Sequence, residues 1–187
     1  YRYIYNGREP ADWPKSKVRL LPTFFLKDAD GALQAVTDST PLIRRFEGAY
    51  EGRSIRPSSP ALAFLDSLIE DYADEWLTKA MFHYRWAYRQ DIDHAAGVLP
   101  SCGPVPLGAE TLAAMGKAFS ERQISRLRYV GSNAGTGPVI EDSYVRFVDL
   151  LETHLKQHRF LLGDRPGAGY FGVFGQLTQL AHMDPTP

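Results

Sequence analysis

LLPTFFLKDADGALQAVTDSTPLIRRFE, residues 20–47, lays out two strands and the opening of a helix. The run over 20–26 is short, apolar and aromatic, as a buried strand entered through Leu21-Pro22 should be. Residues 28–31, Asp-Ala-Asp-Gly, are turn chemistry, and 33–37 forms a second short strand. Asp38, Ser39 and Thr40 are three good helix caps in a row, and Pro41 follows where a first helical turn accepts proline. A helix N-terminus beside a sheet edge is a natural anion site, because its first N–H groups are unpaired and the helix dipole is positive there.

Outward from this stretch, residues 1–5, YRYIY, alternate and read as a strand, and 6–17 holds two prolines and a glycine and reads as a loop or an irregular helix. Gly52, Pro57, Ser58, Ser59 and Pro60 mark residues 51–60 as a linker between a unit at 1–50 and one at 61–187. The second unit reads as all helical. Pro60 suits the first turn of a long helix reaching about Arg89, with Leu62, Leu65, Ile69, Tyr72, Trp76, Ala80, Tyr84 and Tyr88 on one face. Further helices are predicted over 110–129, 140–158 and 170–183, separated by glycine- and proline-rich breaks at 97–108 and 131–138. The last helix is apolar nearly all round and is expected to be largely buried, with Gly172 and Gly175 at close helix–helix approaches.

The whole composition is that of an ordinary globular protein. The chain has 187 residues, 44% hydrophobic and 23% charged, with a net charge of −1. No basic footprint for nucleic acid or anionic lipid is present, and no apolar run is long enough to span a membrane. One cysteine, Cys102, rules out an intrachain disulfide and favours a reducing compartment, hence a cytoplasmic location.

Two blocks carry a family likeness. Leu21-Pro22 followed by Asp38-Ser39 resembles the glutathione-binding half of the glutathione S-transferase family, and residues 160–166, FLLGDRP, resemble that family's lead-in to a buried helix. The order and separation of the blocks also fit. The resemblance implies an α+β, thioredoxin-like unit followed by an all-α helical bundle. It implies a cis peptide at Leu21-Pro22, whose Leu21 backbone pairs with the cysteinyl part of glutathione. It implies that Ser39 receives the γ-glutamyl carboxylate and Asp38 the ligand's ammonium. Asp38 and Ser39 are equally readable as a plain helix cap, and the two roles are compatible.

The implied activity is conjugation of glutathione, as co-substrate, to a small electrophile, or glutathione-dependent thiol chemistry, by a homodimer. The alternative is a non-catalytic binding or assembly module of the same fold. The family begins with a strand and helix before residue 1 and continues past residue 187, so the sequence is expected to be clipped at both ends. The thiol-activating residue then precedes Tyr1, and Tyr1, Tyr3 and Tyr5 lie on the wrong strand to replace it.

Other candidates carry less chemistry. Phe82, Tyr84 and Trp86 are either core or the lining of an apolar substrate pocket between the units. Cys102 has no CxxC partner and reads as an incidental thiol. His154 and His158 share a helix face but have no third ligand, so no metal is expected. Residues 131–137, GSNAGTG, lack the Lys-Ser/Thr of a phosphate loop and read as a flexible connection. Where the family caps its buried helix with Ser/Thr and an Asp three residues on, this chain has Gly167 and Tyr170, so a less firmly capped helix is expected.

Overall fold

The computed structural model describes Ile4 and residues 9–18, 20–103 and 106–187. The strand read over residues 1–5 lies outside the described residues, apart from Ile4. The chain separates into two compact units, Tyr1–Ser54 and Ile55–Pro187, a small antiparallel sheet with a helix and then a mostly helical region.

In the first unit β1 (Phe24–Lys27) pairs antiparallel with β2 (Leu33–Val36), with Phe24 opposite Val36 and Lys27 opposite Leu33. Asp28 organises the turn. Its Oδ1 accepts from the backbone N–H of Asp30 at 3.1 Å and of Ala32 at 2.8 Å, and its Oδ2 from the Gln34 side chain at 2.9 Å. Gly31 takes the left-handed conformation the turn needs, at φ 84°. Helix α1 (Ser39–Ala49) follows, and buried Leu42 anchors it. Phe46 packs edge-on against Phe24 at 5.7 Å, and Trp13 covers Phe25 at 4.7 Å.

The first strand is shorter than the sequence suggests. It starts at Phe24, and Leu20 and Leu21 are 50% and 71% exposed rather than buried. Pro22 has no N–H to enter a ladder, and the Thr23 hydroxyl donates to the Leu20 carbonyl at 2.8 Å, holding the segment as a bend.

The predicted long helix of the second unit is three pieces on one axis and a break. Helix α2 (Pro60–Tyr72) runs into a π-helical turn (Ala73–Leu77) and then α3 (Thr78–Ala87). Tyr88 leaves the helix at φ −104°, ψ 136°, and α4 (Arg89–Val98) starts anew from it, past the predicted end of the long helix near Arg89. Helices α5 (Ala109–Ile124), α6 (Gly137–Leu155) and α7 (Ala168–Met183) fall where the periodicity puts them, within a few residues.

The core has two centres. Ala73, Leu77 and Val173 join the π turn to α7, and Ala80, Tyr84, Ile140, Tyr144 and Leu180 join α3, α6 and α7. The close approaches are glycine-made. A Cβ on Gly172 would stand 3.2 Å from Ala73 Cβ, and one on Gly116 would stand 2.2 Å from the Ala96 carbonyl oxygen, bringing α5 against α4.

Two expectations for α7 are corrected. Phe171 and Phe174 are 52% and 57% exposed, so α7 is buried on one face only, and Gly175 faces open space. The apolar all-round pattern overstated burial because two of its aromatic positions lie outside the seams with α2 and α3. Nor does the missing capping box leave α7 loose. Asp66 of α2 accepts from the N–H groups of Ala168 at 3.1 Å and Gly169 at 3.0 Å. A residue a hundred positions away in sequence is invisible to a local capping rule. Among the described residues no helix is long and apolar enough to cross a membrane.

Candidate functional site

The first unit holds Leu21, Pro22, Asp38 and Ser39, the residues expected from the sequence to meet a ligand. The Leu21-Pro22 peptide bond is cis. Among the described residues the backbone N–H and C=O of Leu21 take no hydrogen bond, although both are strong hydrogen-bonding groups. Leu21 lines a cleft of about 500 Å³ together with Trp13, Lys15, Ser16, Thr23 and Phe25. Lys15 brings an exposed cation to its wall and Glu9 a carboxylate.

Asp38 and Ser39 stand at the start of α1, exposed. They do not line that cleft. Asp38 caps the helix, its Oδ1 accepting from the Thr40 N–H at 3.1 Å. Its backbone is unusual, at φ 79° and ψ 126°, and it is the only non-glycine residue with positive φ among the described residues. Such a conformation costs of order 1–3 kcal/mol in a residue that carries a Cβ. The Ser39 hydroxyl makes no hydrogen bond among the described residues, and the first turn of α1 carries no acidic side chain beyond the capping Asp38.

The aromatic candidates of the second unit all pack within that unit. Trp86 is 2% exposed and meets Phe119 edge-on at 5.7 Å. Tyr84 is 7% exposed and meets Tyr144 edge-on at 5.4 Å. Phe82 is half-buried and leans on Trp86 at 6.4 Å. The weaker candidates have mundane partners. Cys102 is exposed, its thiol 3.5 Å from the Val98 carbonyl. His154 Nε2 donates to the Phe160 carbonyl at 3.1 Å while its ring stacks on His158 at 4.6 Å. No group of three or more metal-ligating side chains occurs among the described residues.

A polar node in the second unit escaped the sequence reading. His83, 4% exposed on α3, places Nδ1 2.7 Å from the Ser132 hydroxyl and Nε2 2.9 Å from Glu141 Oε1, and the Tyr88 hydroxyl donates to the same Oε1. Two converging donors hold the Glu141 carboxyl below its ordinary range, the Tyr88 bond first and then His83. The same bond pushes the Tyr88 hydroxyl up to about 12.

Serine, histidine and glutamate in sequence of contact suggest nucleophile activation, but the arrangement lacks its other parts. Ser132 is 7% exposed, and its own N–H is spent on the Leu127 carbonyl. The loop beyond it is closed on itself, Asn133 Oδ1 accepting from the N–H groups of Gly135 at 2.9 Å and Thr136 at 3.2 Å. The node ties α3 to α6 and to the 131–136 loop, so that loop is a structured turn rather than the flexible connection its glycines suggest. The only advance signal was a histidine on an otherwise apolar helix face.

Compared with protein-family models, with curated proteins and with solved structures, the chain matches none.

Proposed function

We propose that the first unit binds glutathione and presents its thiol for conjugation to a small electrophile or for glutathione-linked thiol exchange. The observation that carries this reading is Asp38. A capping residue needs only ordinary extended backbone, and serine, threonine or asparagine caps as well without strain. A strained residue held at a helix N-terminus, beside a serine hydroxyl that makes no hydrogen bond among the described residues, supports a ligand at this position.

In this reading the γ-glutamyl carboxylate takes the Ser39 hydroxyl and N–H, where the dipole of α1 favours it. Asp38 Oδ2 faces the ammonium while Oδ1 keeps the cap. The unspent backbone of Leu21 pairs with the cysteinyl residue as a strand would. Lys15 at the cleft wall supplies a cation for the tripeptide's other carboxylate, and the cleft is within the size range of small-molecule sites. The reading places the protein in the cytoplasm, where glutathione is abundant and a lone thiol stays reduced, and as a homodimer.

Calorimetric titration with reduced glutathione tests it. Ser39→Ala is expected to weaken binding about ten- to a hundredfold, the worth of a hydrogen bond to a charged group. Equal affinities would remove Ser39 from the site, and no heat from wild type would remove the reading itself. Turnover of a generic aromatic halide by this chain would add transferase activity to binding and would overturn the expectation that the thiol-activating residue lies outside it.

A further inference from the structure

Helix α7 borrows its cap from another helix. Gly167, the residue before it, supplies no side chain to the first turn. The two oxygens of Asp66 take that place on the N–H groups of Ala168 and Gly169. All three residues are buried, Asp66 at 4% exposure, so water has no ready access to those amides if the carboxylate is removed.

Glycine makes the room. A Cβ on Gly167 would stand 2.4 Å from Asp66 Oδ1, and one on Gly169 would stand 2.7 Å from the Asp66 carbonyl oxygen and 2.9 Å from Ile69 Cβ. Gly167 itself has φ −100° and ψ −175°, extended backbone that any residue adopts. It is the carboxylate, not the backbone, that bars a side chain there. A local serine or threonine cap and the remote Asp66 cap therefore compete for the same amides and the same volume.

We propose that the remote cap replaces a local one, that the two are mutually exclusive, and that the first turn of α7 orders only when α2 is docked against it. A local capping residue is present wherever its helix forms. A remote one exists only in the packed pair, so α7 gains its N-terminal stability from tertiary structure alone.

The test is a double-mutant cycle on the whole chain, with Asp66→Ala, Gly167→Ser and both together, read by denaturation midpoint. Each single change is expected to lower the midpoint, Asp66→Ala by unpairing two amides and Gly167→Ser by colliding with the carboxylate. The double variant is expected to lie above both singles, because the introduced serine caps the helix in the space that Asp66 vacates. A double variant below both singles, or a neutral Gly167→Ser, overturns the proposal.

Should Asp66→Ala fail to fold, Asp66→Asn keeps the shape and one acceptor oxygen. Amide exchange at Ala168 or Gly169 is then expected to speed up about tenfold or more, the worth of one charge-assisted hydrogen bond. Unchanged protection of both amides in that variant overturns it equally.

Discussion

Glu141 accepts from two neighbours at one oxygen, and that geometry sets a pH dependence. Its folded-state pKa is lowered, so the stability it contributes is present above the range of an unfolded carboxylate and is lost as pH falls through the lower folded value. The Tyr88 hydroxyl is shifted the other way, to about 12, so its contribution holds below the ordinary tyrosine range and is lost as pH rises from about 10 towards 12. Glu141→Gln is expected to lower stability by about 1–3 kcal/mol at neutral pH. That deficit should shrink in acid, because wild type then loses its own carboxylate. Urea titrations at pH 7 and pH 3 check it, and a deficit equal at both would show that the ionised oxygen is not what matters. The two α7 glycines differ in the same residue-by-residue way. Gly175→Ala meets open space and is expected to raise stability by up to about 1 kcal/mol through helix propensity. Gly172→Ala meets buried Ala73 Cβ at 3.2 Å and is expected to lose about 1 kcal/mol net, overpacking outweighing propensity. Thermal melts of the pair decide this, and the opposite order would place α7 wrongly against the π turn.

At the scale of elements, the π turn sets the phase between two halves of one axis. An extra residue per turn rotates everything beyond it. Asp66 on α2 thus reaches the start of α7, while His83, Tyr84 and Arg85 on α3 meet the 131–136 loop, α6 and the end of α7. Arg85 lies in a buried ion pair with Asp184 at 2.8 Å and also donates to Gln179. Asp91, fully buried at the start of α4, accepts from the Thr186 N–H at 3.0 Å and from its hydroxyl. Residues 184–186 are therefore strapped across α3 and α4. Asp184→Ala leaves a buried guanidinium unpaired and is expected to cost about 3–5 kcal/mol. Chemical denaturation measures it, and a loss under about 1 kcal/mol would mean that Arg85 finds water instead.

For the whole molecule, the second unit carries apolar surface that its own core does not use. Leu65 and Leu68 on α2 and Leu150 on α6 are 42%, 52% and 65% exposed, close to a seam where Tyr72 meets Phe147 at 5.4 Å and Trp76 donates to Ser143 at 2.7 Å. Exposed large apolar residues, where they form one patch, mark an association surface. They support the homodimer proposed above. Sedimentation at micromolar concentration is expected to give twice the chain mass of 21.0 kDa, and Leu68→Glu to return it towards the monomer. A wild-type monomer would end that proposal.

The features legible in the residues are local: the strands and turn over 24–36, the Asp38 cap, and the helices announced by apolar period and glycine or proline punctuation. These follow from backbone sterics and side-chain spacing within a few residues, and need no distant partner. Leu21, Asp38 and Ser39, the residues proposed to meet a ligand, are picked out for the same reason, because they mark a strand entry and a helix entry. The features that escape the sequence join residues far apart in the chain. The Tyr88 break, the π turn, the Asp66 cap on α7, the His83–Glu141 node and the exposure of Phe171 and Phe174 each depend on which helix faces which. Periodicity reports that a face is apolar but not whether another helix covers it, and a capping rule reads only neighbours in sequence. Packing brings together carboxylates, imidazoles and amides that no window of sequence contains.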